Sequence, residues 1–182
     1  MSKMLNNWKI RNTILSGLFI SFGLVFPMVF HMLPGAGPTW LPMQFPILLA
    51  GFFLCPKFAL AVGIITPLVS SIFTGMPMAF PALPVLMLEF GLYALIISSL
   101  RNVNFFKNPI VRLITALVFG KLIVVLFAQL FAHIGPGFYA PILAFVMTQI
   151  VNGLPGMAWQ IVAVPIIVVA VNAGIKRYSN GG

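Results

Sequence analysis

An all-α integral membrane protein of six transmembrane helices, with both termini cytoplasmic, is the fold class this sequence predicts. Three observations lead there. The 182 residues are 61% hydrophobic and 6% charged, with a mean hydropathy of +1.12, far too little polar surface for a soluble globule. The apolar residues fall into stretches near the length demanded by a hydrocarbon core, about 20 residues for about 30 Å. Nine of the ten Lys and Arg lie at the ends of those stretches or outside them. Residues 1–182 read as a single transmembrane domain with no separate aqueous part.

The first span covers 12–33. It follows Lys3, Lys9 and Arg11 but has no small-x-small cleavage site before Pro34, so it is read as a retained span and not a signal peptide. A Pro/Gly loop follows, Pro34-Gly-Ala-Gly-Pro38 through Pro42. The second span, 43–55, is short and stops at Pro56-Lys57. The third, 58–73, runs into Thr74-Gly-Met-Pro77 and a loop carrying Pro81 and Pro84. The fourth, 83–100, ends in a polar turn with Arg101, Asn102, Asn104, Lys107 and Asn108. The fifth covers 109–133. The last, 139–175, is expected to be broken at Gly153-Leu-Pro-Gly156, because Gly and Pro both disfavour a helix interior.

Charge sets the orientation. The N-terminus, the turn at Lys57, the turn at 101–112 and the tail at Lys176-Arg177 alternate so as to share one face, which the positive-inside asymmetry makes cytoplasmic. The opposite loops near 34–42, 74–82 and 134–140 contain no Lys or Arg. They carry Trp40, Met43, Met76, Met78 and Phe80 instead, a composition that suits a lid over an outward-opening pocket or tight connectors at the headgroups. The +9 net charge is thereby explained without nucleic acid, since no basic stripe with interleaved aromatics remains. Cys55, the lone cysteine, has no disulfide partner and reads as a packing residue.

Glu89 is the only acidic residue and stands inside an apolar stretch, as does Lys121. A charge at that depth costs about 2.5–3.5 kcal/mol on insertion scales, so it needs a partner or a pocket. Tyr93 lies one turn beyond Glu89 on the same face. Glu89 and Lys121 come out about 8 Å apart in depth on antiparallel helices, within reach of a Lys stem. Two readings compete: ligand contact by the acid, or a clamp between two helices. Gln129 and His133 share a face of the fifth span; His133 has no metal-ligand neighbours, and His31 at the end of the first span is treated alike. Asn152 and Trp159 fall about 20° apart on a helical wheel, near Gln149 and Gln160. An amide with an aromatic ring grips a flat heterocycle by edge hydrogen bonds and stacking; the alternative is a proline kink whose freed backbone Asn152 satisfies.

The stretch Leu33-Pro-Gly-Ala-Gly-Pro-Thr-Trp-Leu-Pro-Met-Gln-Phe-Pro-Ile-Leu-Leu-Ala-Gly51, followed by Cys55-Pro-Lys57, resembles the substrate-binding S components of energy-coupling factor (ECF) vitamin transporters. So does Gly63-Ile-Ile-Thr-Pro-Leu-Val-Ser-Ser-Ile-Phe-Thr-Gly-Met-Pro77. The resemblance covers essentially the whole chain. It implies a subunit of the bacterial cell membrane that captures a water-soluble vitamin or precursor outside. Such a subunit docks on an EcfT-like membrane coupling subunit driven by two cytoplasmic ATPase subunits, and is thought to topple to release its cargo. Any ATP is then used by those partners, with no cofactor in this chain. Gly120-Lys121 is followed by Leu122 inside a span and is no phosphate-cradling loop. The family docks through small residues four apart on its first helix, matched here by Thr13, Gly17 and Ser21, with Gly23 nearby. Such a stripe lets another backbone approach closely, though packing within the chain would use it equally.

The candidate substrate-binding set is Glu89, Tyr93, Asn152, Trp159, Gln129, His133, Lys121, Trp40 and Gln44, the last standing where the family more often carries His. The outer half has no Arg, which disfavours a polyanionic ligand. Hydroxymethylpyrimidine or a pyridoxine-like compound is the expected substrate, with pantothenate the alternative. Outside this class, an intramembrane enzyme lacks a nucleophile with its base, and a two-carboxylate mechanism is excluded by the single acid. A stand-alone proton-coupled carrier is the remaining competitor, but the inverted repeats common in such carriers are not visible.

Overall fold

The computed structural model describes residues 2–31, 39–130 and 136–180, with side chains at 7–29, 39–129 and 140–177. Among the described residues the main helices are, in order, α1 Ser2–His31, α2 Gln44–Phe53, α3 Pro56–Thr74, α4 Ala82–Ser99, α5 Pro109–Leu130 and α6 Pro136–Asn180. Two single 3-10 turns, Leu100–Asn102 and Asn104–Phe106, join α4 to α5. Among the described residues there is no strand, and five helices are long and apolar enough to cross a membrane. The sixth, α2, is the short one. At about 1.5 Å per residue its 10 residues reach about 15 Å, half a hydrocarbon core.

That shortness goes with its place. Every residue of α2 from Gln44 to Phe52 is buried, as expected of a helix apolar all round. It forms the middle of the main core with Tyr93, Ala94 and Ile97 of α4, Leu113 and Leu117 of α5, and Val164 and Val168 of α6. A second core of Val85, Val124, Ala128, Ile142 and Val146 joins α4, α5 and α6. The large side chains left exposed, such as Ile14, Leu18, Ile72, Leu126, Val151 and Ile166, form the lipid-facing surface that an apolar solvent permits.

Local chemistry sets the helix ends. Pro56 occupies the first turn of α3, where its missing N–H is harmless. Gly75 ends that helix in the left-handed conformation, φ 72°, donating its N–H to the Ser71 carbonyl at 3.0 Å, the usual glycine stop. The Asn108 side chain accepts from Ile110 N–H at 2.9 Å and caps α5. Two buried polar groups tie down the α2–α3 turn: Asn12 Oδ1 accepts from Cys55 N–H at 3.2 Å, and Ser98 Oγ donates to the Leu54 carbonyl at 2.7 Å. Neither role was foreseen from sequence.

Two expectations change. The first helix begins at Ser2, well before the apolar span, so Lys3, Lys9 and Arg11 are helical. The last span is not broken: α6 runs 45 residues through Pro141, Pro155 and Pro165. Apart from Lys121, basic residues collect at one end among the described residues. Arg11, Arg101, Lys107, Arg112 and Lys176 line one cleft there, and the packing of Trp8 on Phe58 brings Lys57 to the same end.

Candidate functional site

At the opposite end the helices leave a cavity of about 450 Å³. Its walls are Leu24, Pro27 and Met28 of α1, 41–44 at the start of α2, Ser70 and Thr74 of α3, Met76, Pro77 and Met78 of the following loop, Ala82, Leu86 and Phe90 of α4, and Phe145, Thr148, Gln149 and Asn152 of α6. None of these side chains is charged. The surface is mainly apolar with a few amides and hydroxyls, the usual make-up of a small-molecule site.

Gln44 is the exceptional wall residue. It is 0% exposed, yet among the described residues neither its amide nitrogen nor its amide oxygen has a hydrogen-bond partner. Burying a primary amide with nothing to bond costs about 1–3 kcal/mol for each unmet group. Such a group fits a guest that presents one acceptor and one donor side by side. The hydroxyls nearby are occupied differently. Ser70 Oγ donates to the Met76 carbonyl at 2.7 Å, Ser71 Oγ to the Pro77 carbonyl at 2.8 Å, and Thr74 Oγ1 to the Ser70 carbonyl at 2.8 Å while accepting from Met76 N–H at 3.2 Å. They hold the 75–81 loop over the cavity mouth.

The second wall segment, residues 39–43, is latched to α6. Trp159 Nε1 donates to the Trp40 carbonyl at 3.1 Å, and Gln160 Nε2 donates to the Leu41 carbonyl at 3.1 Å. Leu41 itself has φ 49°, a left-handed conformation that a Leu adopts only when its surroundings impose it. Gly153 and Gly156 make the approach possible. A Cβ on Gly153 would stand 2.9 Å from Leu41 Cδ1, and one on Gly156 would stand 2.7 Å from the Thr39 carbonyl oxygen. The Gly153-Leu-Pro-Gly156 motif is therefore a seat for the 39–41 segment, not a break in the helix.

Glu89, Tyr93 and Lys121 form a separate cluster. Tyr93 donates its hydroxyl to Glu89 Oε1 at 2.7 Å, and Lys121 Nζ donates to the same oxygen in an ion pair. Glu89 is 1% exposed and its Oε2 has no partner among the described residues. Gly120 makes room: a Cβ there would lie 2.5 Å from the Tyr93 ring. The triad joins α4 to α5 inside the bundle. It lies behind the wall, since Leu86 and Phe90 line the cavity but Glu89 does not.

Of the sequence-predicted binding residues, Gln44 and Asn152 are on the cavity wall. Glu89, Tyr93 and Lys121 are together but in the clamp. Trp159 packs on Phe45, with ring centroids 4.8 Å apart, and Trp40 is 43% exposed; both serve the latch, because the helix is continuous and the 39–41 segment covers that face. Gln129 is exposed on α5, off the wall. His133 lies outside the described residues. Phe145 and Thr148 were missed, and Gln149 was noted beside Asn152 but left out of the binding set, although the four repeat at i, i+3, i+4 and i+7, a one-face pattern that marks a single stripe of a helix. Thr13, Gly17 and Ser21 are all exposed, and nothing lies within 4 Å of a Cβ built on Gly17. Gly23 instead packs against Thr66 of α3.

Compared with known families, the chain matches the model for "ECF transporter, substrate-specific component" over residues 11–168. No curated protein and no solved structure matches it.

Proposed function

The chain belongs to the family of ECF transporter substrate-specific components, and from that premise we propose that its cavity takes a small uncharged heterocycle, a hydroxymethylpyrimidine- or pyridoxine-like compound. Members of the family are substrate-binding subunits of a transporter, not enzymes, and work with EcfT and ATPase modules. The observation that carries the substrate reading is Gln44, a wholly buried amide with both polar atoms unmet on the wall of the 450 Å³ cavity. A ring nitrogen beside an amino or hydroxyl group satisfies both atoms at once, and Phe90 and Phe145 offer faces for the ring. Asn152 and Gln149 supply further edge contacts.

A monoanion such as pantothenate is disfavoured, because no cation lines the cavity among the described residues and Lys121 is spent on Glu89. The 39–43 and 75–81 segments act as the outward lid, with the basic end on the cytoplasmic side. Transport then requires the coupling subunit and two ATPases in a bacterial cell membrane. Native mass spectrometry of protein purified from rich medium tests the substrate class directly: a neutral heterocycle retained by the wild type and lost from Gln44→Leu is the expected result. Retention of an anion, or uptake driven by a proton gradient without ATPase subunits, would overturn the reading.

A further inference from the structure

The cleft at the basic end has a volume of about 490 Å³ and is lined by five of the chain's ten cationic side chains, Arg11, Arg101, Lys107, Arg112 and Lys176. No acidic side chain among the described residues lines the cleft to balance them. The only acidic side chain of the sequence is Glu89, which is held by Lys121 away from this cleft. Arg112 makes the imbalance acute, because it is only 7% exposed. Its Nε and Nη2 both donate to the Phe106 carbonyl at 3.1 Å, and its guanidinium stands 5.3 Å above the Phe52 ring. The head is thus fixed in place without a counter-charge among the described residues, and the nearby Arg101 repels it. A buried cation in this position calls for an anion from outside the chain.

The surroundings say which anion. The cleft lies between the start of α1, the α4–α5 turn, the start of α5 and the end of α6. Its inner wall is apolar, with Phe52, Phe53 and Val168. Outside it the same helices expose Ile14, Ile114 and Ile166, a surface suited to acyl chains. A cationic socket opening onto an apolar belt matches a phosphate head attached to hydrocarbon tails. Basic pockets between transmembrane helices on the cytoplasmic side are suited to anionic headgroups.

We propose that this cleft is a binding site for the phosphate headgroup of an anionic phospholipid, with Arg112 at its floor and Arg101, Lys107, Arg11 and Lys176 around its rim. The site is at the other end of the bundle from the substrate cavity and does not depend on the identity of the substrate.

The test uses the full chain in nanodiscs of phosphatidylcholine with or without phosphatidylglycerol or cardiolipin, followed by native mass spectrometry of retained lipid. The wild type is expected to retain anionic lipid, and Arg101→Gln/Lys107→Gln to retain it about tenfold less tightly, given the attraction of each basic group to an anionic surface. Both residues are exposed, unlike Arg112, so this variant is expected to keep the fold; heat stability in neutral lipid checks it. Lys57→Gln/Arg177→Gln removes the same charge from the same end outside the cleft and is expected to retain lipid as the wild type does. Equal loss in the two double variants would reduce the effect to general attraction and overturn the site. Inorganic phosphate at millimolar concentration displacing the lipid, or protecting as well as the lipid does, would make the occupant a soluble anion and overturn the lipid assignment. Normal lipid retention with loss of assembly on the coupling subunit would make the cleft a protein-docking surface and likewise overturn it.

Discussion

Gln160 reaches across 119 residues of sequence to donate its Nε2 to the Leu41 carbonyl at 3.1 Å. That bond, with the Trp159–Trp40 bond beside it, pins one wall of the cavity to α6. The segment can lie so close only because Gly153 and Gly156 have no side chain. Gly156→Leu should push the 39–41 segment outward. Overpacking of this kind destabilises by about 1–3 kcal/mol. A lowered melting temperature in detergent together with weakened substrate binding is the expected result, and unchanged values of both would disprove the seat.

Gln44→Leu separates stability from binding. The change removes two buried groups that have no partner in the empty protein, so the ligand-free form should melt higher, by the equivalent of about 1 kcal/mol or more. Substrate affinity should fall about tenfold or more, the loss of one to two hydrogen bonds. Calorimetry and a thermal melt on the same preparation check both signs. Asn152→Ala should weaken binding less, with little change in melting.

The Glu89–Lys121 pair is expected to behave as a clamp. Lys121→Met leaves a buried carboxylate with only Tyr93, and removing one partner of a buried pair costs about 3–5 kcal/mol. Glu89→Gln/Lys121→Met should be milder than the sum of its singles. Correctly folded Glu89→Gln should bind substrate within about twofold of wild type, because the group is behind the wall. A large affinity loss at full stability would put Glu89 in contact with the substrate after all.

On α1, the exposed small residues offer a flat stripe to another helix. Gly17→Leu/Ser21→Leu should prevent co-purification with the coupling subunit while leaving substrate affinity intact, since a Cβ at Gly17 meets nothing within 4 Å among the described residues. Normal assembly of that variant would remove the stripe from the interface.

Much of this architecture was legible in the residues. Apolar length located the helices, the alternation of Lys and Arg with bare loops put the charges at one end, and the isolation of Glu89 and Lys121 singled out both residues while leaving ligand contact and a helix clamp as competing readings. What failed was the meaning of glycine. Gly153 and Gly156 flank Pro155, and from sequence that reads as a helix stop. A helix interior tolerates such residues where a neighbouring segment fills the space, as 39–41 does here, and only the fold reveals the neighbour. The aromatic–amide pair of Trp159 and Asn152 misled for the same reason: one member faces the cavity and the other is claimed by the latch. Gln44 was picked out through family resemblance, but its unmet amide is a three-dimensional fact.

The length of α6 has a mechanical consequence. Its apolar stretch Ala140–Arg177 has 38 residues, about 57 Å of rod at about 1.5 Å per residue, against a hydrocarbon thickness of about 30 Å. Hydrophobic mismatch on this scale is relieved by leaning, bowing or deforming the bilayer. An upright posture is thus the strained one for this protein. Because the same rod lines the cavity at one end and the basic cleft at the other, any lean carries the cargo chamber sideways through the membrane about a pivot near the charged rim.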